Sequence, residues 1–166
     1  MATRSVKLVS LAALVRRRKS WRRAGKTVVF TNGIFDILHR GHVEYLTHAK
    51  RLGDVLIVGL NSDNSTHKLK GPGRPINRFA DRAAVLAGLA AVDRIVRFDE
   101  LTPINLIVAL QPDVLVKGAQ YKKNEIVGAP EVESWGGRVM RVPMRKGLST
   151  TRLISEAARR ASRLSR

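Results

Sequence analysis

Apolar residues along this chain alternate between short continuous runs and helically spaced sets, and that alternation predicts its elements. Leu8, Leu11, Leu14 and Val15 recur at helical spacing, which predicts a helix over residues 8–24, stopped by Gly25. Residues 26–30 follow as a first strand. Val43, Leu46, Ala49 and Leu52 give one apolar face to a helix over 42–52, ended by Gly53. The run Val55-Leu56-Ile57-Val58-Gly59-Leu60 has the unbroken apolarity of a strand covered on both faces. Residues 61–77 are polar and contain Gly71-Pro72-Gly73-Arg74-Pro75, so a long loop is expected, of a length usually functional or mobile. Residues 79–91 are rich in Ala and Leu and predict a helix, and 94–98 a strand. Thr102 and Pro103 suit the cap and first position of a helix running to residue 110, and Pro112-Asp113 breaks the chain before a strand at 114–116. A short helix over 125–135, a turn at Gly136-Gly137, a strand over 139–142 and a last helix capped by Ser149 complete the pattern. Strands alternate with helices throughout, which predicts a single α/β domain with a doubly wound parallel sheet and right-handed crossovers. Such sheets bind ligands at the carboxyl ends of their strands.

Composition narrows the classes. A chain of 166 residues with 44% hydrophobic and 27% charged residues is one soluble globular domain. No apolar run approaches 18 residues, so neither a membrane span nor a membrane partner is expected. Residues 8–15 are apolar, but a basic run follows where a signal peptide would carry its cleavage site, and the expected location is cytoplasmic. The absence of cysteine excludes disulfides, thiolate catalysis and Cys-ligated metals. Thirteen of the eighteen net positive charges lie at the ends: residues 1–26 hold nine Lys/Arg and no acid, and residues 152–166 hold five Arg and one Glu. The division expected is a basic N-terminal helix, 1–26, packed on a domain of 27–166 that ends in a basic C-terminal helix. Basic ends could bind nucleic acid or an anionic surface. A solvated arginine face is the simpler reading, and no aromatic residues interleave with the C-terminal arginines, so a nucleic-acid partner is not expected.

The candidate chemistry centres on Phe30-Thr31-Asn32-Gly33-Ile34-Phe35-Asp36-Ile37-Leu38-His39-Arg40-Gly41-His42. A buried strand leaves through a glycine turn into a helix start that carries two histidines three residues apart. Free N–H groups and the positive dipole end at such a terminus favour an anion, above all a phosphate, and two imidazoles add directed donors. Gly41 leaves room for close backbone approach. The pair could instead ligate zinc, but a third ligand should follow, and His48 and His67 have no patterned acidic partner, so no protein metal site is expected. Gly147-Leu148-Ser149-Thr150-Thr151 opens a second helix at the strand ends, and two such termini can hold both ends of a triphosphate. Lys68 and Lys70, with Arg74 behind them, could close over phosphates from the 61–77 loop, and Arg82 adds a further cation. There is no Ser-His-Asp set, no paired catalytic carboxylates and no Gly-x-x-x-x-Gly-Lys loop. These parts suit in-line attack by a substrate phosphate on the α-phosphorus of a nucleoside triphosphate, with Mg²⁺ as the triphosphate's partner.

His39-Arg40-Gly41-His42 together with Gly147-Leu148-Ser149-Thr150-Thr151 resembles the signature pair of the HxGH nucleotidylyltransferases, a superfamily of Rossmann-like fold. Within it the chain is most similar to the adenylyltransferases of ADP-heptose synthesis. Thr31-Asn32-Gly33, Phe35-Asp36, Asn61-Ser62-Asp63, Leu69-Lys70-Gly71, Arg74-Pro75, Ala91-Val92-Asp93, Pro112-Asp113 and Val116-Lys117-Gly118 carry that similarity in order, over residues 8–155. The resemblance implies transfer of AMP from ATP to D-glycero-D-manno-heptose 1-phosphate, giving ADP-heptose and pyrophosphate for the lipopolysaccharide inner core. It implies His39, His42 and Lys70 as catalytic residues. Thr31, Asn32, Gly33, Phe35, Gly41, Lys117, Gly118, Gln120, Ser149 and Thr150 would bind nucleotide, and Asp36, Lys68, Arg74 and Arg82 the sugar phosphate. It also implies a homodimer, and a separate sugar kinase upstream, since many family members carry that kinase on the same chain. Ile34 stands where the family often has Cys, and Gln120 where it usually has Asp; Gln keeps an acceptor, loses the charge and adds two donors. Met144-Arg145-Lys146 is also more basic than expected before the Ser-Thr-Thr motif. Two alternatives remain on sequence alone: a cytidylyltransferase acting on glycerol 3-phosphate or a related polyol phosphate, and a non-catalytic nucleic-acid-binding or regulatory module.

Overall fold

A computed structural model of the chain describes residues 6–144, 147 and 149–164; Arg145, Lys146 and Leu148, which flank the Ser-Thr-Thr motif, lie outside them. The apolar runs form the strands. The second of them, β2 (Val55–Asn61), is buried at all seven positions, as a run without polar alternation requires. On one side it pairs with β1 (Val28–Gly33), from Val28 opposite Val55 to Gly33 opposite Leu60, and on the other with β3 (Arg94–Phe98). The other flank of β1 takes β4 (Val114–Gly118), which pairs with β5 (Arg138–Val142). All pairs are parallel and the order is β3-β2-β1-β4-β5, so the chain winds outward in both directions from β1, as the doubly wound Rossmann-like sheet expected from sequence does. The topological switch point lies between β1 and β4.

Helices cover both faces. On one, α2 (Arg40–Lys50) and α4 (Phe79–Ala87) set Tyr45, Leu46, Ala49, Ala83 and Leu86 against Val29, Leu56, Val58 and Ile95. On the other, α1 (Leu11–Arg23), α5 (Ile104–Leu110) and α6 (Ala129–Ser134) bring Leu14, Ile107, Leu110 and Val132 onto Phe30, Ile57 and Leu115. Burying each such side chain stabilises the fold by about 1.5–3 kcal/mol, so these two clusters are the main favourable term.

Several sequence expectations are corrected. Residues 61–77 are not a continuous loop: α3 (Asp63–Lys70) forms there, with the Ser62 hydroxyl accepting the Ser65 N–H. Its buried residues are Ser65 and Thr66, so apolar periodicity carried no trace of it. The first helix starts at Leu11, capped by Ser10, and Leu8 instead forms a parallel bridge to Ile95 that covers the open side of β3. Pro103, rather than Thr102, takes the cap position of α5. The helix expected to run to 91 ends at Ala87, with Gly88 as its cap. That expected over 125–135 is divided into a 3₁₀ turn, Lys123–Glu125, and α6, because Gly128 adopts a φ of +85° and a Cβ there would lie 2.6 Å from Ile107. The last helix, α7, runs Thr150–Leu164. No helix among the described residues is long and apolar enough to cross a membrane.

Candidate active site

The β1 strand ends at Gly33, where a Cβ would lie 2.8 Å from the Phe35 ring, so only glycine lets the chain fold back there. Phe35 sits in the left-handed region at φ +48°, a conformation a non-glycine residue adopts at a cost and here inside the candidate site. Its ring meets the edge of His42 at 5.3 Å. His39 caps α2 from extended backbone, without a side-chain cap bond, and its ring stacks on His42 at 3.9 Å and 23°. Burial lowers both imidazole pKa values, that of His42 to about 4 with a smaller push from His39. Both rings are therefore neutral at pH 7, and both Nδ1 atoms are buried without a hydrogen-bond partner.

These rings line a cavity of about 450 Å³ at the carboxyl ends of β1 and β4, the place the strand order predicts for a ligand. Asn32, Gly33, Phe35, Asp36, Lys70, Arg74, Lys117, Gly118, Gln120, Ser149 and Thr150 line it as well. Ser149 accepts the Arg152 N–H and so caps α7, while the Thr150 hydroxyl donates to the Ile37 carbonyl at 3.2 Å. That bond ties the start of α7 to the segment that leads into α2. Two helix N-termini with no acidic residue in their first turns thus meet one cavity. Lys117 donates to the Asn32 side chain and lies 5.8 Å from the centre of the Tyr121 ring; burial lowers its pKa to about 8. Gln120 reaches the Met144 sulfur at 3.3 Å.

The other residues singled out by sequence lie elsewhere or are already engaged. Thr31 is fully buried behind the cavity, its hydroxyl 2.8 Å from that of Tyr45, which donates to the Val116 carbonyl. Gly41 is buried in α2 and Lys68 is exposed on α3, and neither lines the cavity. Asp36 is buried and accepts from Arg74 Nε at 2.7 Å and from the backbone N–H groups of Ile76 and Asn77. Burial raises its carboxyl pKa, and the Asn77, Ile76 and Arg74 donors together outweigh that and hold it below the usual range. Arg82 is 1% exposed and does not line the cavity: its guanidinium joins the Ile34 and Asn77 carbonyls and the Asp63 carboxylate. It staples the β1 exit, the 71–77 loop and α3 together. Tyr45, Asn61, Leu69 and Leu101 line the cavity although the sequence reading assigns them no site role. Tyr45 had a signal in its position, one turn beyond His42 on the same face of α2.

No group of three His, Asp or Glu side chains able to hold a metal occurs among the described residues. Asp36 is the one carboxylate among the described lining residues, and its oxygens are committed to Arg74, Ile76 and Asn77.

The profile of the cytidylyltransferase-like family matches residues 30–156. The bifunctional protein HldE of Methylobacillus flagellatus is 48% identical over 157 residues, covering 95% of this chain and 32% of that protein. HldE of Syntrophotalea carbinolica is 56% identical over 133 residues, covering 80% of this chain and 27% of that protein. The chain thus spans about a third of the length of the curated relatives it matches. Among solved structures, the lipopolysaccharide core biosynthesis protein of Thermoplasma volcanium superposes with a TM-score of 0.60 at 31% identity, over 74% of this chain and 98% of that one.

Proposed function

This chain belongs to the cytidylyltransferase-like family, and from that premise we propose that it is a sugar-phosphate adenylyltransferase that transfers AMP from ATP to D-glycero-D-manno-heptose 1-phosphate. The observation that carries the reading is the neutral, stacked His39–His42 pair at the start of α2, sharing one cavity with the start of α7. Its identity with proteins named HldE over nearly the whole chain favours the heptose acceptor. In the reaction, an oxygen of the sugar phosphate attacks the α-phosphorus of ATP. The bond from that phosphorus to the bridging oxygen breaks, and pyrophosphate leaves with the electron pair, giving ADP-heptose.

The protein's part is positioning and charge stabilisation. Neutral imidazoles offer one N–H donor each, and with no partner on Nδ1 the pair is open to taking up a proton once a polyanion supplies the counter-charge. Lys70 and Lys117 add cationic donors at the cavity wall, and Ser149 and Thr150 hold the pyrophosphate end at the start of α7. Mg²⁺ would come bound to the triphosphate and would neutralise part of its charge there. The acceptor is a sugar 1-phosphate, so a kinase acting on the anomeric hydroxyl has to precede this step. In this reading the enzyme works in the cytoplasm.

The test is pyrophosphate release with each of the four nucleoside triphosphates against heptose 1-phosphate and glycerol 3-phosphate. Release with ATP and heptose 1-phosphate is expected, and its loss in His42→Ala. Release only with CTP and glycerol 3-phosphate would replace this reading with a polyol-phosphate cytidylyltransferase.

A further inference from the structure

The proposed chemistry uses only the first turn of α7. The rest of that helix is strongly two-sided. At about 100° per residue, Leu153, Ile154, Ala157, Ala158 and Leu164 fall within one arc of roughly 140°. Arg152, Ser155, Arg159, Ser162 and Arg163 lie on the opposite side, and Arg160 borders the apolar arc. A globular domain would normally spend such a face on its own core. Here Leu153 and Ile154 are only half-buried, residues 157–164 are all exposed, and Leu164 is 89% exposed.

Charge selects what covers this face. Four arginines on α7 stand against one acid, Glu156, which pairs with Arg152 at 3.1 Å. A second α7 laid along this one would set four further arginines beside its four. Nucleic acid would meet the arginines, but it has no use for the apolar arc, and α7 carries no aromatic side chain on which bases could stack. An anionic bilayer surface satisfies both sides at once, with the arc at the acyl boundary and the arginines among the headgroups. We propose that α7 is a surface-seated helix that docks this protein on membranes containing anionic phospholipid. Such a helix needs no spanning length, so the lack of a span does not oppose it. The arc holds only two leucines, one isoleucine and small residues, so docking is reversible and depends on anionic lipid. Because α7 starts in the cavity wall at Thr150 and Thr151 and is about 22 Å long, a seated helix keeps the cavity close to the lipid surface.

The experiment is flotation of the whole protein with phosphatidylcholine vesicles, with and without about one third phosphatidylglycerol. Binding is expected only with phosphatidylglycerol and should fall with salt. Arg159→Gln and Arg160→Gln should each weaken it roughly fivefold. Leu164→Asp combined with Ala157→Asp should abolish it, while Arg16→Gln with Arg17→Gln, both exposed on α1, should leave it nearly unchanged. Circular dichroism of each variant checks folding, and Arg159 and Arg160 can be altered with little risk because both are exposed. No binding to phosphatidylglycerol vesicles overturns the proposal. So does equal loss from the α1 pair, or indifference to the Leu164/Ala157 change, since either marks diffuse adsorption. A dimer by light scattering that Leu164→Asp dissociates, without vesicle binding, would assign α7 to self-association instead. RNA binding that needs the arginines but not Leu164 would assign it to nucleic acid.

Discussion

The two ends of the same sheet handle polar groups in opposite ways. At the amino ends of the strands, three aspartates each accept a backbone N–H at 2.7 Å: Asp54 from Thr27, Asp113 from Val28, and Asp93 from Leu56. Arg18, 5% exposed, joins Asp113 at 2.7 Å and also bonds the Leu110 and Gln111 carbonyls, while Lys50 joins Asp93 at 2.7 Å. The backbone N–H groups of Thr27, Val28 and Leu56 are closed off there, and the buried atoms left without a partner, Arg18 Nη1 and Arg94 Nε, belong to guanidinium groups that are otherwise bonded. At the carboxyl ends, two buried imidazole Nδ1 atoms have no partner and Lys117 has its pKa lowered by burial. Unmet polar capacity is costly in a finished core and useful where a ligand will supply the missing partners. One end fastens the strands; the other is set to receive charge.

That contrast can be broken at either end. The largest effect is expected from His42→Ala at the open end: loss of a transition-state donor should lower kcat by two to three decades, about 3–4 kcal/mol, in the pyrophosphate assay. The thermal midpoint should move little, and a large fall would mean that the histidine serves the fold. Next is Asp113→Ala at the closed end. It leaves the buried Arg18 guanidinium without its carboxylate and the Val28 N–H unpaired, and should cost about 2–3 kcal/mol in urea unfolding. Its kcat per folded molecule should be unchanged; a kcat loss matching that of His42→Ala would erase the division between the ends. The smallest effect is the pH dependence of stability. The folded pKa of His42, about 4, lies below the unfolded value of 6.5. Its contribution is therefore complete above pH 6.5 and is lost as pH falls through 4. In His42→Ala that part of the acid slope should vanish, and an unchanged slope would remove the neutral-histidine account.

The sequence revealed what rests on apolar patterning and backbone chemistry. The five strands, their alternation with helices and the strand-to-helix turn at His39 follow from runs such as residues 55–60 and from the glycines around them. It was silent on α3, whose inward residues Ser65 and Thr66 are polar and leave no apolar period to detect. It was also silent on what Arg82 does. An arginine near a basic loop looks like a ligand for substrate, and only the arrival of Ile34, Asn77 and Asp63 around its guanidinium makes it a structural staple. The same holds for Asp36, whose acceptors are taken by Arg74, Ile76 and Asn77. Three-way contacts between segments distant in sequence have no local signature.

The staple of Arg82 and the clasp of Asp36 also set how this enzyme's specificity can be rewritten. Both hold residues 74–82 to the segment that carries His39 and His42. Substitutions at 74, 77 or 82 would therefore shift the segment that carries the histidines, and a library built there would mostly select against activity. Leu69 and Leu101 stand outside both fastenings, on the cavity rim. A change of acceptor can be sought at those positions without unhooking the catalytic wall.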